Sequence, residues 1–146
     1  MSVLTTKAMG QVEIAPGEIL NFPEGLFGFS DAREFAVLAE KGDSPFLWLQ
    51  CVTDPELAFV IIEPDLFLSD YRPQLAPGDL DVLQTDRLED LTIYVIVTIP
   101  EKHPEKMTAN LQGPILLHKS KRIGRQVISH HNKHHVRVAI LEQLEG

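Results

Sequence analysis

The chain has 146 residues, 44% of them apolar and 23% charged, the composition of a globular protein and not of a disordered tail. Thirteen Lys and Arg stand against 21 Asp and Glu, and the resulting −8 argues against a dedicated nucleic-acid binder. The single cysteine, Cys51, excludes a disulfide framework and a cysteine-based zinc knuckle, and points to the reducing cytosol.

The length fits one domain over residues 1–146. Met1 to Lys7 has no basic start leading into an apolar core, so no secretory signal is read there. Gln11–Ile14 and Glu18–Phe22 alternate apolar and polar residues and read as half-exposed strands. Pro23 suits the first central position of a type I turn and Gly25 its fourth, so the chain turns sharply after Phe22. One helical turn is expected near Asp31–Glu34. Phe46–Val52 and Ala58–Ile62 are buried runs, and Cys51 on the first of them reads as inert packing. Asp54–Pro55, Glu63–Asp65 and Pro77–Asp79 are turn signals, and Thr85 is placed to cap a second helical turn ending near Leu91.

In Leu91–Ile99 every residue except Leu91 and Tyr94 is β-branched and both faces are apolar, as in a central strand covered on both sides. The longest apolar runs, Leu57–Ile62 and Ile93–Val97, fall far short of the roughly 18 residues of a membrane span. Gly124–Ser129 and Val136–Leu141 read as the last strands, joined as a hairpin through His131–His134, where Asn132 tolerates positive φ. Short strands punctuated by turns at intervals of about 8–12 residues indicate an all-β fold, a small barrel or sandwich with minimal helix.

The charge is divided unevenly. Residues 1–101 hold five basic and 18 acidic side chains, whereas residues 102–146 hold eight basic, three acidic and all six histidines. His130/His134 and His131/His135 have the i,i+4 spacing of metal ligands on a helix, but their flanks favour strands, which makes a solvated hairpin tip the expected setting. No nucleophile elbow, P-loop or dinucleotide fingerprint occurs, and Asp79–Asp90 lacks the glycine and spacing of a calcium loop, so the motifs do not describe an enzyme. Lys119–Arg125 is basic but lacks interleaved aromatics for base stacking, and reads as a charged turn between strands. Phe27, Phe29, Leu66–Leu68 and Tyr71 sit at turns, where apolar groups are typical of protein recognition.

Five strings then carry a family resemblance by their order and spacing. They are Phe22-Pro-Glu-Gly-Leu-Phe-Gly-Phe29, Ser44-Pro-Phe-Leu-Trp-Leu-Gln50, Asp70-Tyr71, Thr108-Ala-Asn-Leu-Gln-Gly-Pro-Ile115 and Gly124-Arg-Gln-Val-Ile128. Over nearly its whole length the chain resembles the flagellar assembly factor FliW family. The resemblance implies a compact β-barrel-like, non-catalytic, cytoplasmic regulator without a cofactor, which binds flagellin and the RNA-binding translational repressor CsrA. Flagellin export then frees the factor to capture the repressor, away from the repressor's RNA site, and to relieve its block on flagellin messenger RNA. No direct contact with nucleic acid or membrane is implied.

Asp70, Tyr71, Thr108, Ala109, Asn110 and Leu111 are carried over as partner contacts. Asn110 has a second reading, as a cap on the turn ahead of Pro114, and Phe22–Phe29 reads as a turn that sets strand geometry. The sequence departs from the family pattern at Phe27, usually proline, at Gly113, usually alanine, and at His118, usually asparagine. Two other readings stay open: a metal-responsive module built on His130, His131, His134 and His135, and a small β-barrel cofactor binder.

Overall fold

A computed structural model describes residues 2–40 and 42–141; the ends of the expected 1–146 domain, Met1 and residues 142–146, lie outside the described residues. Strands β1 (Ser2–Thr6) and β2 (Gly10–Ile14) form an antiparallel hairpin. The main sheet contains β3 (Leu20–Asn21), β4 (Glu34–Leu38), β5 (Leu47–Cys51), β6 (Ala58–Ile62), β7 (Thr92–Thr98), β8 (Thr108–Ala109), β9 (Ile115–His118), β10 (Ile123–Gln126) and β11 (Val138–Ala139). Seven of these run in the order β7-β6-β5-β4-β3-β10-β9, and β9 pairs back onto β7 to close a barrel. Every seam is antiparallel except a single parallel bridge, Asn21 to Ile123, between β3 and β10. The all-β expectation is met by closure, which removes free sheet edges from the seven-stranded ring.

Period-2 alternation sets the layers. In β4, Phe35 and Val37 point into the barrel with Leu49, Cys51, Ile61, Tyr94 and Ile115. Ala36 and Leu38 point outward, and there the N-terminal hairpin lays Leu4 and Ile14 over them. The two-faced character of Leu91–Ile99 has the same cause. Tyr94 and Ile96 face the interior, whereas Val95 and Val97 pack outside with Ile62, Phe67, Ala109 and Ile140. Full burial of a side chain such as Phe35, which is 0% exposed, contributes about 1.5–3 kcal/mol.

The segment Ser2–Thr6 is a strand for which the sequence gives only a weak signal, since one of its two buried residues is the polar Thr6 while the apolar Val3 beside Leu4 is exposed. Buried Gln50 ties this hairpin down. Its Oε1 accepts the Lys7 N–H at 2.9 Å, while its amide nitrogen lies 3.0–3.2 Å from the carbonyls of Cys51, Asp54, Pro55 and Leu57.

Two expectations are corrected. No helical turn forms at Asp31–Glu34: Glu34 opens β4, whose Phe-Ala-Val-Leu run pairs with β5. Near Leu91 the expected turn is present as a 3-10 turn, Leu88–Asp90, with Thr85 accepting the Arg87 N–H at 3.2 Å and donating to Asp90 at 2.6 Å. The C-terminal hairpin is also absent. A turn is present, since the His134 N–H donates to the His131 carbonyl at 3.0 Å, but β10 ends at Gln126 and β11 pairs with β8. β8 would otherwise leave an open edge beyond β7, and β11 covers that edge while Val138 packs on the cluster around Val97 and Ala109.

The basic run Lys119–Arg125 is spent on structure. Residues 119–122 form the β9–β10 turn, with Arg122 at φ 56° and its N–H donating to the Lys119 carbonyl. Lys121 donates to the Gln84 carbonyl at 2.7 Å, Arg122 to the Pro16 carbonyl at 3.2 Å and Arg125 to the Asp79 carbonyl at 2.7 Å. Among the described residues no helix is long and apolar enough to cross a membrane.

Candidate partner-binding cleft

Three of the five sequence strings meet around Gln126. The expected turn after Phe22 closes with the Gly25 N–H donating to the Phe22 carbonyl at 2.8 Å, and Gly25 takes φ +65°. A Cβ there would strike the backbone of Phe29 and Ser30, which makes glycine obligatory on two counts. The Phe22 ring covers Gly124 and meets Phe35 edge-on at 5.2 Å. Gln126 accepts the Phe27 N–H at 2.9 Å and donates to the buried Gly113 carbonyl at 2.9 Å. Glu24 pairs with Arg125 at 3.2 Å. Asn110 accepts the Gln112 and Gly113 N–H groups at 3.1 and 3.0 Å, so the turn-capping reading of its side chain describes it. These strings therefore build a scaffold.

The cleft lies beside that scaffold. β8 and β9 occupy the same edge of β7, and the chain leaves that edge between them at residues 110–114. Leu111 on this excursion is 1% exposed and packs with Val95, Val97 and Ile140, and its N–H donates to the His135 carbonyl at 3.0 Å. Its carbonyl accepts the Tyr71 hydroxyl at 2.8 Å. Burial pushes the Tyr71 phenol well above its usual range, so the hydroxyl stays protonated and keeps donating.

Tyr71 also opens a stack of three rings. His134 lies 4.5 Å from it at 31°, and His131 lies 4.5 Å beyond at 25°. His134 is only 7% exposed, which corrects the expectation of a wholly solvated tip. Its Nδ1 is 2.6 Å from the Ser129 hydroxyl, and that hydroxyl accepts the Gln74 N–H at 3.0 Å. We assign the Ser129 proton to the bond with Nδ1, which leaves the imidazole proton on Nε2. Burial, reinforced by His131 and opposed by Asp70, lowers the proton affinity of His134 below the ordinary histidine range.

The result is a cleft of about 760 Å³, with Leu68, Leu111, Val138 and Tyr71 as its apolar part and Asp70, Arg72, Lys133 and the imidazoles of His131, His134 and His135 around it. Of the six candidate contacts, Asp70, Tyr71 and Leu111 line this cleft. Thr108 and Ala109 form β8, with Ala109 0% exposed, and Asn110 is occupied by its turn. Of the four clustered histidines, three line this cleft and His130 does not. His130 borders a separate depression beside Phe27 and Ile128. Among the described residues no three His, Cys, Asp or Glu side chains converge as a metal ion would require. Sequence reasoning singled out His131 and His134 only as possible metal ligands; their place beside Tyr71, and the bond of Ser129 to His134, were missed because no local spacing relates them to Tyr71.

The described residues thus define a small closed β-barrel with an apolar, imidazole-lined cleft on its outside. Comparison makes this specific. The sequence model described as FliW protein matches residues 3–140. The flagellar assembly factor FliW of Leptospira biflexa is 41% identical over 146 residues, covering 99% of this chain and 95% of that protein. The factor of the same name from Thermoanaerobacter pseudethanolicus is 36% identical over 144 residues, covering 98% and 95%. A crystal structure of the flagellar assembly factor FliW superposes with a TM-score of 0.87 at 34% identity, covering 95% of this chain and 96% of that one. The chain belongs to the FliW family.

Proposed function

We propose that this protein is a cytoplasmic flagellar assembly factor that works by binding proteins and not by catalysis. Its partners in this reading are flagellin and the translational repressor CsrA, and exchange between them couples flagellin synthesis to export. Family membership along nearly the whole chain supports the flagellar role. The single observation that supports a basic, RNA-binding partner is the unneutralised acidic surface. All 18 acidic side chains of residues 1–101 are at least partly exposed, with only Glu34 and Asp79 half-buried. Among the described residues only Glu24 and Glu89 of these are held in ion pairs. Such a field steers a basic partner inward and raises the cost of phosphate beside it. By linkage, RNA on the repressor weakens its affinity for this protein by the same factor.

The test is co-elution of the purified chain with flagellin and with the repressor on a sizing column, followed by titration of a repressor–RNA complex while RNA release is read. Absence of both complexes overturns the proposal. Asp70 is exposed, so Asp70→Lys is expected to leave the fold intact and to change the affinity for at least one partner. Equal affinities of the two proteins at low salt remove Asp70 from the interface. Tyr71→Ala is a poorer probe, because it also strips the Leu111 carbonyl of its partner.

A further inference from the structure

We infer that the cleft between the Leu68–Gln74 segment and the histidine turn takes a peptide segment that carries carboxylates among apolar side chains. The inference rests on the reading of Asp70, Tyr71 and Leu111 as partner contacts, but not on the identity of the partner. The apolar part of the cleft is Leu68, Leu111, Val138 and the face of Tyr71, and its volume of about 760 Å³ accommodates several side chains of a short segment. The groups around it are unlike the rest of the surface. Residues 1–101 carry 18 acidic and five basic side chains, yet among the described residues Asp70 is the single carboxylate that lines this cleft. Arg72 on the same segment, and Lys133 with three imidazoles from the histidine turn, complete the charged and polar lining.

Arg72 is shared with Glu89 at 3.1 Å, an exposed contact that leaves its remaining N–H groups available. Lys133 forms no ion pair among the described residues, and its backbone N–H is fixed to His131 Nδ1 at 3.1 Å, which sets where the side chain departs. The tautomer assigned to His134 adds one more donor, its Nε2–H. A hydrophobic seat with donors and cations at its margin matches an apolar segment bearing Asp or Glu, or a terminal carboxylate, and disfavours a basic one. The molecule then offers two surfaces of opposite preference: an acidic exterior for basic partners, and this cleft for an acidic, apolar segment.

The experiment is selection of displayed random 12-residue peptides on the full chain, with affinities of the enriched peptides measured on three proteins: the parent, Lys133→Glu and Lys102→Glu. Lys133 and Lys102 are both exposed, so neither change threatens the core, and Lys102→Glu makes the same change in net charge outside the cleft lining. The expected result is enrichment of peptides that combine two or more apolar residues with net negative charge. Their affinity should fall at least tenfold in Lys133→Glu and less than threefold in Lys102→Glu. Enrichment of basic or neutral peptides, equal loss in both variants, indifference to Lys133→Glu, or no enrichment at all overturns the inference. Co-elution with flagellin and the repressor is scored independently, so failure of either result does not mimic failure of the other.

Discussion

Gln126 joins parts of the chain that sequence keeps far apart. It takes the Phe27 N–H and gives to the Gly113 carbonyl, and its neighbour Gly124 is covered by the Phe22 ring. Gln126→Leu leaves the buried Gly113 carbonyl unpaired, so a loss of about 1–3 kcal/mol is expected in urea unfolding. An unchanged midpoint would mean that water replaces the amide. His134 gives a pH prediction. Its proton affinity is lowered in the folded state, so the unfolded chain binds the extra proton first as pH falls. Its contribution to stability is therefore complete above the unfolded value of about 6.5 and declines as pH drops below it. The urea midpoint should fall between pH 7.5 and 5.5, and the His134 ring signal should titrate below that of a free imidazole in NMR. Asn110 was legible as a turn cap because its partners lie within three residues. His134 was not, because Tyr71, which covers its ring, comes from a distant part of the chain.

At the scale of elements, alternation and turn residues were readable wherever one face is decided locally. Leu91–Ile99 and the Pro23–Gly25 turn are examples. Pairing was less readable. Gly124–Ser129 and Val136–Leu141 both look like strands, and proximity makes them a natural hairpin. The free edge of β8 nevertheless recruits β11, since covering that edge also seats Val138 against the outer face of β7. The short β8 and the departure at residues 110–114 were hidden for the same reason: a strand that leaves its neighbour and returns has no local signature. The β1–β2 hairpin supplies the prediction at this scale. A two-stranded hairpin is marginal alone, so its order depends on Leu4 and Ile14 against β4. Leu4→Ala should cost about 2–5 kcal/mol of that docking and speed amide exchange across residues 2–14. Protection in β4–β7 should be retained, and a uniform loss would show that hairpin and barrel open together.

For the whole molecule, the decisive quantity is the placement of charge and not its total. The basic side chains of Lys121, Arg122 and Arg125 are committed to loop carbonyls, whereas among the described residues most of the acidic ones face solvent outside any ion pair. Association with a basic protein should therefore slow by about tenfold or more as salt rises from low to several hundred millimolar, because steering is screened. A rate indifferent to salt in stopped-flow mixing would remove the acidic surface from the encounter. Screening should leave dissociation less affected, since contacts once formed exclude the ions.

The barrel's closing seams set the order in which the chain can fold. β3 meets β10 through one parallel bridge, and β7 meets β9, so both closures wait for residues 115–126. Until those residues join, β3 to β7 form an open sheet with bare N–H and C=O groups along two edges, one of them the edge of β7. Pairing of such distant segments is slow, because loop-closure entropy is spent before the contacts return it. During synthesis this order leaves β7, the longest strand, available to other chains until the seam closes. The β9–β10 hairpin, with Gln126 bonded to Gly113 at its end, supplies both closing partners and so separates an open, aggregation-prone sheet from a sealed one.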